Sequence, residues 1–332
     1  MNEQMPADAN PILITGASGF VGRWVVKELR RRLPGGRIVA AGHGEPAGID
    51  VVSIDLDVTA ERDVDQAVRR FAPACVIHLA AISGVPEARS APRRAWDVNV
   101  NGTMALAEAV LRHVPDARFV YVGSADAYGG SFRQSTGPLD ESALLDPLNA
   151  YGASKAAADL LVGQMAHEGL NAIRLRSFNH TGPGQGEQFA VSAFASQIAR
   201  IEQGSQEPSI KVGNLEARRD FLDVRDVVRG YADIACAEQS FPPGLILNIA
   251  SGVSRRMRDV LEELVAQSRV RVTIEQDESR MRPTDTPVAI GDARRAESLI
   301  GWRPQMPFKQ TLRDVLDHWR QTVTGRHRER SH

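Results

Sequence analysis

The sequence predicts an α/β protein with a doubly wound parallel sheet and a smaller, discontinuous α/β lobe. Short apolar runs alternate with amphipathic segments along the first half of the chain, as strands and helices do in such folds. A glycine-rich turn joins the first apolar run to the first helical segment, which makes the predicted sheet Rossmann-type. At 332 residues the chain can form two moderate domains.

The amino-acid composition limits which classes of binding partner and which cellular compartment we expect. A formal net charge of -1 gives no general attraction to nucleic acid or to an anionic membrane. No apolar run approaches the ~18 residues that cross a bilayer, and the N-terminus is polar rather than signal-like. The two cysteines, Cys75 and Cys236, lie in apolar segments, as buried thiols do in a reducing compartment. We therefore expect a cytoplasmic protein without nucleic-acid or membrane partners.

The first strand and helix carry a phosphate-binding signature. Residues 11–15 read as a buried strand, and the helix continues to Leu33. Glycines between them permit a tight turn, allow the backbone to approach a pyrophosphate, and aim the helix N-terminus at it. The predicted dinucleotide contacts in this turn are Gly16, Ser18, Gly19, Phe20, Val21 and Gly22.

The βα pattern then repeats. Further strands are predicted at 37–41, 51–55, 74–79 and 118–122, with helices near 60–71 and 93–113. An acidic residue after the second strand favours NAD, and an arginine there favours NADP. The chain has Gly42 and His43 instead, so NADP and NAD both stay open. Asp57 and Val58 are candidates for the adenine, although Asp57 reads equally well as a helix cap or turn residue.

One histidine, His78, is a candidate ligand or base. His78 ends a predicted strand, and no second histidine, cysteine or carboxylate has metal-ligand spacing with it. It is better interpreted as a buried histidine with satisfied hydrogen bonds. No metal is predicted.

Two residues at helical spacing predict acid–base chemistry. Tyr151 and Lys155 are four positions apart at the start of an alanine-rich run, so they share one helix face. An ammonium beside the phenol could lower its pKa by ~3 units from about 10. Ser124 follows the strand at 118–122, where it can hydrogen-bond a substrate oxygen beside the tyrosine.

Together these motifs resemble the extended short-chain dehydrogenase/reductases. The resemblance implies an NAD(P) coenzyme on the sheet, contacted also by the strand-end residues Leu79, Ala80 and Ala81. It implies that Ser124 and Tyr151 act on the reacting oxygen and that Lys155 contacts the nicotinamide ribose. The segments that carry the resemblance are 15–22, 78–81, 97–103, Ser124 and the Tyr151–Lys155 pair.

The second half resembles the nucleotide-sugar branch of these enzymes, and most closely the GDP-4-dehydro-6-deoxy-D-mannose reductases. The motifs lie at 176–185, 218–227 and 280–285. In that branch Asn179 would contact the diphosphate or sugar, and Arg219 and Arg282 would hold phosphate and ribose. Guanidinium groups suit a diphosphate, whereas the plainer interpretation of each arginine is a surface ion pair.

The residues after Ser124 bear on the reaction. Related 4,6-dehydratases carry glutamate at the position of Asp126 and in some cases aspartate at that of Ala125, so this chain disfavours dehydration. We expect reduction of the C4 ketone of a GDP-4-keto-6-deoxyhexose, with Asp126 kept among the catalytic candidates. A nucleotide-sugar 4-epimerase or 4,6-dehydratase with tightly bound coenzyme is the alternative, and a catalytically silent NAD(P) sensor is the third possibility.

Domain limits and assembly follow from the same patterns. The coenzyme domain is predicted at 1–178 plus 219–251, the substrate lobe at 179–218 plus 252–324, and a disordered tail at 325–332. By resemblance, helices near 93–113 and 149–168 should pair across a two-fold axis into a four-helix bundle, giving a homodimer. The apolar residues proposed for that surface are Ala105, Leu106, Ala109, Leu160 and Leu161.

Overall fold

The computed structural model describes residues 11–44, 51–281 and 286–330, with side chains to 325. Seven strands form the large sheet, and every pair of neighbours is parallel. They are β1 (Ile12–Thr15), β2 (Ile38–Ala41), β3 (Val52–Ile54), β4 (Cys75–His78), β5 (Arg118–Ser124), β6 (Ala172–Ser177) and β10 (Leu245–Ile249). Their order is β10-β6-β5-β4-β1-β2-β3, so the predicted doubly wound sheet is confirmed.

Helices cover both faces of this sheet, as its apolar strands require. On one face lie α1 (Phe20–Arg32) and α9 (Val224–Ala235), and on the other α2 (Glu61–Phe71), α5 (Gly102–His113) and α7 (Ala150–His167). Fully buried side chains such as Leu29 on α1 and Val162 on α7 each contribute roughly 1.5–3 kcal/mol of hydrophobic stabilisation. The carboxyl ends of the strands are left open as one continuous edge.

The helix predicted near 93–113 is not a single α-helix. After α3 (Val85–Ser90), the chain forms α4 (Pro92–Trp96), a π-helical turn over Asp97–Asn101, and then α5; the short helix α6 (Ser131–Gln134) follows β5. Such widened turns often occur at functional sites, and this one places Asn99 inward. Sequence periodicity does not separate a π turn from the α-helices that flank it.

The smaller lobe stands over the carboxyl edge of the large sheet. Its core packs three helices, α8 (Ala190–Glu202), α10 (Met257–Val265) and α12 (Phe308–Arg330). Two small sheets complete it, one of β7, β9, β11 and β13 and one of β8 with β12. These strands are β7 (Asn179–Thr181), β8 (Ser209–Val212), β9 (Arg218–Asp223), β11 (Ser254–Arg256), β12 (Thr273–Gln276) and β13 (Val288–Ala289).

Three segments differ from the expected division of the chain. Strand β9, expected with the coenzyme domain, pairs with β7, β11 and β13 of the smaller sheet. The short helix α11 (Arg294–Ile300) and Trp302, expected in the substrate lobe, pack instead into the core beneath the large sheet. The indole Nε1 of Trp302 donates to the carbonyl oxygen of Asp226 at 2.9 Å, a contact between distant parts of the sequence.

The expected disordered tail also differs, because α12 continues to Arg330. Of the residues expected at a dimer surface, Leu106 and Ala109 are buried in the core under α5 and are unavailable to a partner. Leu160 is 60% exposed, and Ala105 and Leu161 are partly exposed. None of the helices in the described ranges is both long and apolar enough to cross a membrane.

Candidate active site

A cavity of about 1490 Å³ lies between the carboxyl edge of the large sheet and the smaller lobe. Its wall runs from the glycine turn, past the end of β5 and the start of α7, to β7 and β9. Every predicted site residue in the described ranges lines it: Gly16, Ser18, Gly19, Phe20, Val21, Gly22, Asp57, Val58, Leu79, Ala80, Ala81, Ser124, Asp126, Tyr151, Lys155, Asn179 and Arg219. Arg282 lies outside the described residues, although Arg280 and Met281 beside it line the cavity.

The glycine turn is packed so tightly that a side chain would not fit. Gly16 has φ 68°, a left-handed conformation that favours glycine, and a Cβ there would lie 2.8 Å from the backbone nitrogen of Ala80. The turn after β1 is thereby pressed against the segment after β4. Backbone N–H groups at the start of α1 consequently face the cavity, an arrangement suited to phosphate.

Asp57 follows β3, and its carboxylate is held by hydrogen bonds within its own turn. Its carboxylate accepts hydrogen bonds from the backbone N–H of Thr59 at 2.9 Å and from the Thr59 hydroxyl at 2.7 Å. Arg94 lies 3.4 Å from the other carboxylate oxygen. The turn interpretation of Asp57 is therefore confirmed, while its contact with adenine stays a prediction.

Ser124 and Tyr151 are brought together by two helix starts. The Ser124 hydroxyl accepts from the backbone N–H of Asp126 at 3.1 Å and hydrogen-bonds the phenol of Tyr151. Asn149 caps α7 by accepting from the Gly152 N–H at 2.8 Å. A Cβ at Gly152 would lie 2.6 Å from the Asp126 carbonyl oxygen, so only glycine lets α7 approach this closely. The serine and the tyrosine therefore converge as predicted.

Lys155 lies one turn further along α7, and its ammonium points beneath the site. Nζ donates to the Val122 carbonyl oxygen at 2.6 Å and lies 4.8 Å from the centre of the Tyr121 ring. Burial lowers the pKa of Lys155 from 10.5 to about 8, and the nearby charge of Asp159 partly offsets that shift. The ammonium is thus still the main form at neutral pH.

The expected lowering of the Tyr151 pKa is wrong for this structure. Burial raises the pKa of the phenol, and the charge of Asp126 raises it further, while the bond from Ser124 opposes this. Helical spacing brings Lys155 to the same face as the phenol, but both groups are buried, and burial is the largest cause of both pKa shifts. A phenol that keeps its proton is the form needed to protonate a ketone oxygen during reduction.

Two buried polar residues support the site from below. The interpretation of His78 as a satisfied histidine is confirmed, because its ring nitrogens lie 2.7 Å from the Thr15 hydroxyl and 2.9 Å from the Thr103 hydroxyl. Asn99, quoted in a motif but given no role, exchanges two hydrogen bonds with the backbone of Ile82 and donates to Ser154 on α7. It ties the loop after β4 to α7.

The wall of the cavity that comes from the smaller lobe is polar. Asn179 begins β7, and Arg219 on β9 donates to the Thr286 carbonyl oxygen at 2.7 Å while it lines the cavity. Lys211 adds a second positive charge to the same wall. Within the described residues, no three histidine, cysteine or carboxylate side chains are grouped so that they could hold a metal ion.

Comparison with known proteins agrees with this geometry. Residues 13–315 match the family model described as GDP-mannose 4,6 dehydratase. The GDP-6-deoxy-D-mannose reductase of Pseudomonas aeruginosa is 34% identical over 313 residues, covering 94% of this chain and 98% of that protein. A UDP-glucose 4-epimerase of Streptomyces lividans is 30% identical over 331 residues, covering 92% and 94%.

A solved structure extends the comparison to three dimensions. The structure of RMD from P. aeruginosa complexed with NADPH superimposes with a TM-score of 0.79 at 31% identity, covering 95% of this chain and 100% of that one. The family model spans most of the chain, and the sequence motifs and the cavity are those of an enzyme. The chain belongs to the GDP-mannose 4,6 dehydratase family of nucleotide-sugar enzymes, within the extended short-chain dehydrogenase/reductases.

Proposed function

We propose that the protein reduces the C4 ketone of a GDP-4-keto-6-deoxyhexose with NADPH or NADH, converting GDP-4-dehydro-6-deoxy-D-mannose to GDP-D-rhamnose. The observation that carries this proposal is that Tyr151 and Ser124 meet at the end of β5 in a cavity of about 1490 Å³, where burial raises the pKa of the phenol. The likeness to the P. aeruginosa reductase over 94% of the chain supports the substrate class.

A dinucleotide fits the residues present. The turn at Gly16 has no space for a side chain and directs backbone N–H groups of α1 into the cavity. Ser18 and His43 line one end of the cavity, and Tyr151 and Lys155 line the middle. NADP and NAD are both retained, because Gly42 and His43 follow β2 directly, where an acid or an arginine would indicate one coenzyme. When bound, the coenzyme supplies the hydride.

The chain's own residues do the proton chemistry and the positioning. Ser124 and Tyr151 bind the ketone oxygen, and Tyr151 gives it the phenol proton as the carbonyl becomes a hydroxyl. The ammonium of Lys155 stabilises the phenolate that remains and holds the ribose. Asp126 sits close enough to Tyr151 to affect its pKa, so its charge favours the protonated acid before reduction.

The smaller lobe would bind the nucleotide half of the substrate. We propose that Arg219 and Arg282 pair with the diphosphate and ribose and that Asn179 hydrogen-bonds the phosphate or sugar. In support, Arg219 and Asn179 lie on neighbouring strands, β9 and β7, that face the catalytic edge across the cavity. The two-lobed division of the chain is part of this proposal.

Oxidation of the reduced coenzyme provides the assay for this proposal. Purified protein mixed with GDP-4-dehydro-6-deoxy-D-mannose and NADPH or NADH should oxidise the coenzyme, with loss of absorbance at the reduced-nicotinamide band and formation of GDP-D-rhamnose. Failure to oxidise either coenzyme would refute the reductase proposal.

A second candidate is a 4-epimerase, favoured by the relative from S. lividans at 30% identity. Such an enzyme keeps its coenzyme and regenerates it in each turnover. Protein purified with stoichiometric bound coenzyme, and active without added coenzyme, would support it. A 4,6-dehydratase is less well supported, because Ala125 offers only a buried methyl group and Asp126 is shorter than the usual glutamate.

We propose a cytoplasmic homodimer that pairs α5 and α7 across a two-fold axis. A groove between these helices is lined by Met104, Leu111, Leu161 and Met165, and Leu160 protrudes beside it. The free thiols of Cys75 and Cys236 suit a reducing compartment. The smallest assembly that would cover this groove is a dimer in which both subunits use the same surface.

Leu160→Glu should convert this dimer into a monomer. The substitution places a charge at an apolar contact but costs the isolated subunit little, since the side chain is 60% exposed. Light scattering after size exclusion measures the mass of each variant. Leu144→Glu is the matched control, because Leu144 is 78% exposed on a loop away from these helices. A dimer that survives Leu160→Glu would place the interface elsewhere.

Lys155 predicts a pH dependence of stability. Its pKa is about 8 in the folded chain and 10.5 when exposed, so between these values the unfolded chain holds the extra proton. Stability from this group therefore rises with pH across that window and is lowest below it. Lys155→Met should be more stable than the parent near pH 7, and this advantage should shrink toward pH 10.

Denaturant titration of both proteins at several pH values tests this. The difference between them is the proper measure, because Cys75 and the buried tyrosines also titrate, with pKa values that burial raises. Parallel stability curves for the two proteins would show that Lys155 is not desolvated.

A further inference from the structure

A second serine–tyrosine pair lies beside the catalytic one. Ser124 at the end of β5 and Ser177 at the end of β6 are direct partners in the register of the sheet. Ser124 bonds to Tyr151, and the Ser177 hydroxyl lies 2.6 Å from the hydroxyl of Tyr231 on α9. Two neighbouring strands thus each end in a hydroxyl bound to a phenol. The mechanism above uses only one of these pairs.

The second pair faces the same cavity. Ser177 and Tyr231 both line it, although the serine is buried and the phenol ring is fully covered. Burial raises the pKa of Tyr231, and the proximity of Tyr151 raises it further. Tyr231 is therefore a neutral phenol close to the catalytic one, and it differs from Tyr151 in bonding to Ser177 rather than to Ser124.

In the described part of the chain, one of the two hydroxyl hydrogens of this pair has no acceptor. The two hydroxyl groups carry two hydrogens, and their mutual bond uses one. Neither side chain makes another hydrogen bond within the ranges that the structure describes. A buried donor without an acceptor costs about 1–3 kcal/mol, so such groups nearly always have a partner. The remaining O–H is thus available to something in the cavity.

The position of the pair indicates which part of a ligand would meet it. Phosphates belong at the glycine turn, and the ketone belongs at Ser124 and Tyr151. A nicotinamide ring must lie between them to deliver hydride. Ser177 neighbours Ser124 on the sheet edge, and Tyr231 comes from α9, which lies beside α1 on the same face. The ring therefore passes next to the second pair.

We propose that the Ser177–Tyr231 hydroxyl pair binds the carboxamide oxygen of the nicotinamide and so fixes the orientation of the ring toward the ketone. This inference rests on the proposed function, since it requires a nicotinamide coenzyme. The pair takes no part in proton transfer. Its contribution is a neutral hydrogen bond, expected to change coenzyme affinity roughly 3- to 10-fold.

Coenzyme analogues give a test specific to that bond. The thionicotinamide analogue replaces the carboxamide oxygen by sulfur, a weak acceptor, and the 3-acetylpyridine analogue keeps the oxygen but lacks the amide N–H₂. Wild-type protein should bind oxidised coenzyme and the acetylpyridine analogue similarly and the thio analogue roughly 3- to 10-fold more weakly. Tryptophan fluorescence or calorimetry measures each Kd without turnover.

The variants Tyr231→Phe and Ser177→Ala should abolish this discrimination. Each should weaken the binding of native coenzyme roughly 3- to 10-fold and leave the thio analogue nearly unchanged. Adenosine bisphosphate or ADP, which lacks the nicotinamide, should bind equally to all proteins. Thr322→Val is the control, because it deletes a hydroxyl on α12 that donates to the His318 carbonyl oxygen at 2.9 Å and does not line the cavity.

The possible outcomes separate the two proposals. Wild-type protein that binds no coenzyme refutes the proposed function itself. Wild-type protein that binds native and thio coenzymes equally refutes the inference alone, even if a variant fails to fold. Equal weakening of both coenzymes in the variants also refutes it, since general disturbance of the cavity would produce that pattern.

Discussion

Tyr151→Phe should lower kcat for ketone reduction by about 10²- to 10⁴-fold, the usual contribution of a positioned acid. The substitution keeps the ring that packs at the start of α7 and deletes only the hydroxyl bonded to Ser124. Coenzyme binding should persist, because the glycine turn is unaffected. Since burial and Asp126 raise the pKa of the phenol above 10.0, reduction by the parent enzyme should not lose its acid below pH 10.

Single-turnover kinetics with saturating coenzyme measure this effect. Thr322→Val serves as the control, since it removes a hydroxyl on α12 outside the cavity and should leave the chemical step near its parental rate. If the Tyr151→Phe enzyme keeps more than a tenth of the parental rate, the proton donor is another group.

Local patterns explain why the sheet was predictable. Apolar strands such as β1 and β4 are buried on both faces, so their sequences are continuous hydrophobic runs. Glycine at 16 is likewise a local requirement, set by a positive φ and by the backbone of Ala80. Strand β9 was harder to assign, because its sequence is mostly charged and does not specify which of two sheets it joins. Its partners are far away in the chain.

The same distinction applies to the site. The spacing of Tyr151 and Lys155 is fixed by one helix, and Ser124 follows one strand, so all three were found. Their pKa values depend on burial by elements distant in sequence, and there the prediction was wrong. Ser177 and Tyr231 were not recognised because they are 54 residues apart and share no local motif.

Beneath the catalytic residues, one buried carboxylate joins α7 to β6. Asp159 follows Lys155 by one helical turn and is 1% exposed. Its Oδ1 accepts from Arg174 and from Arg176 at 3.0 Å each, and Oδ2 accepts from Arg176 Nε at 3.0 Å. Arg176 also donates to the Tyr128 hydroxyl at 3.0 Å. The network holds the helix that carries Tyr151 and Lys155 against the sheet.

Asp159→Asn should destabilise the fold by about 3–5 kcal/mol, the cost of leaving buried charges without their partner. The variant keeps the size of the side chain but leaves the guanidinium groups of Arg174 and Arg176 without a counter-charge, and its own N–H₂ opposes their donors. Because Asp159 favours the charged form of Lys155, the pKa of that lysine should fall further. Urea titration gives the first quantity, and lysine-selective NMR titration gives the second.

Glu216→Gln is the control that separates the effect of burial from the loss of an ion pair. Glu216 also pairs with two arginines, Arg256 at 2.6 Å and Arg258 at 2.9 Å, but its side chain is 60% exposed. Water screens that pair, so its loss should hardly change the denaturation midpoint. If both variants lose the same stability, burial is not what gives the Asp159 network its strength. If only Asp159→Asn is destabilised, and the pKa of Lys155 is lower in that variant, the Asp159 carboxylate both holds α7 against the sheet and favours the charged form of its lysine.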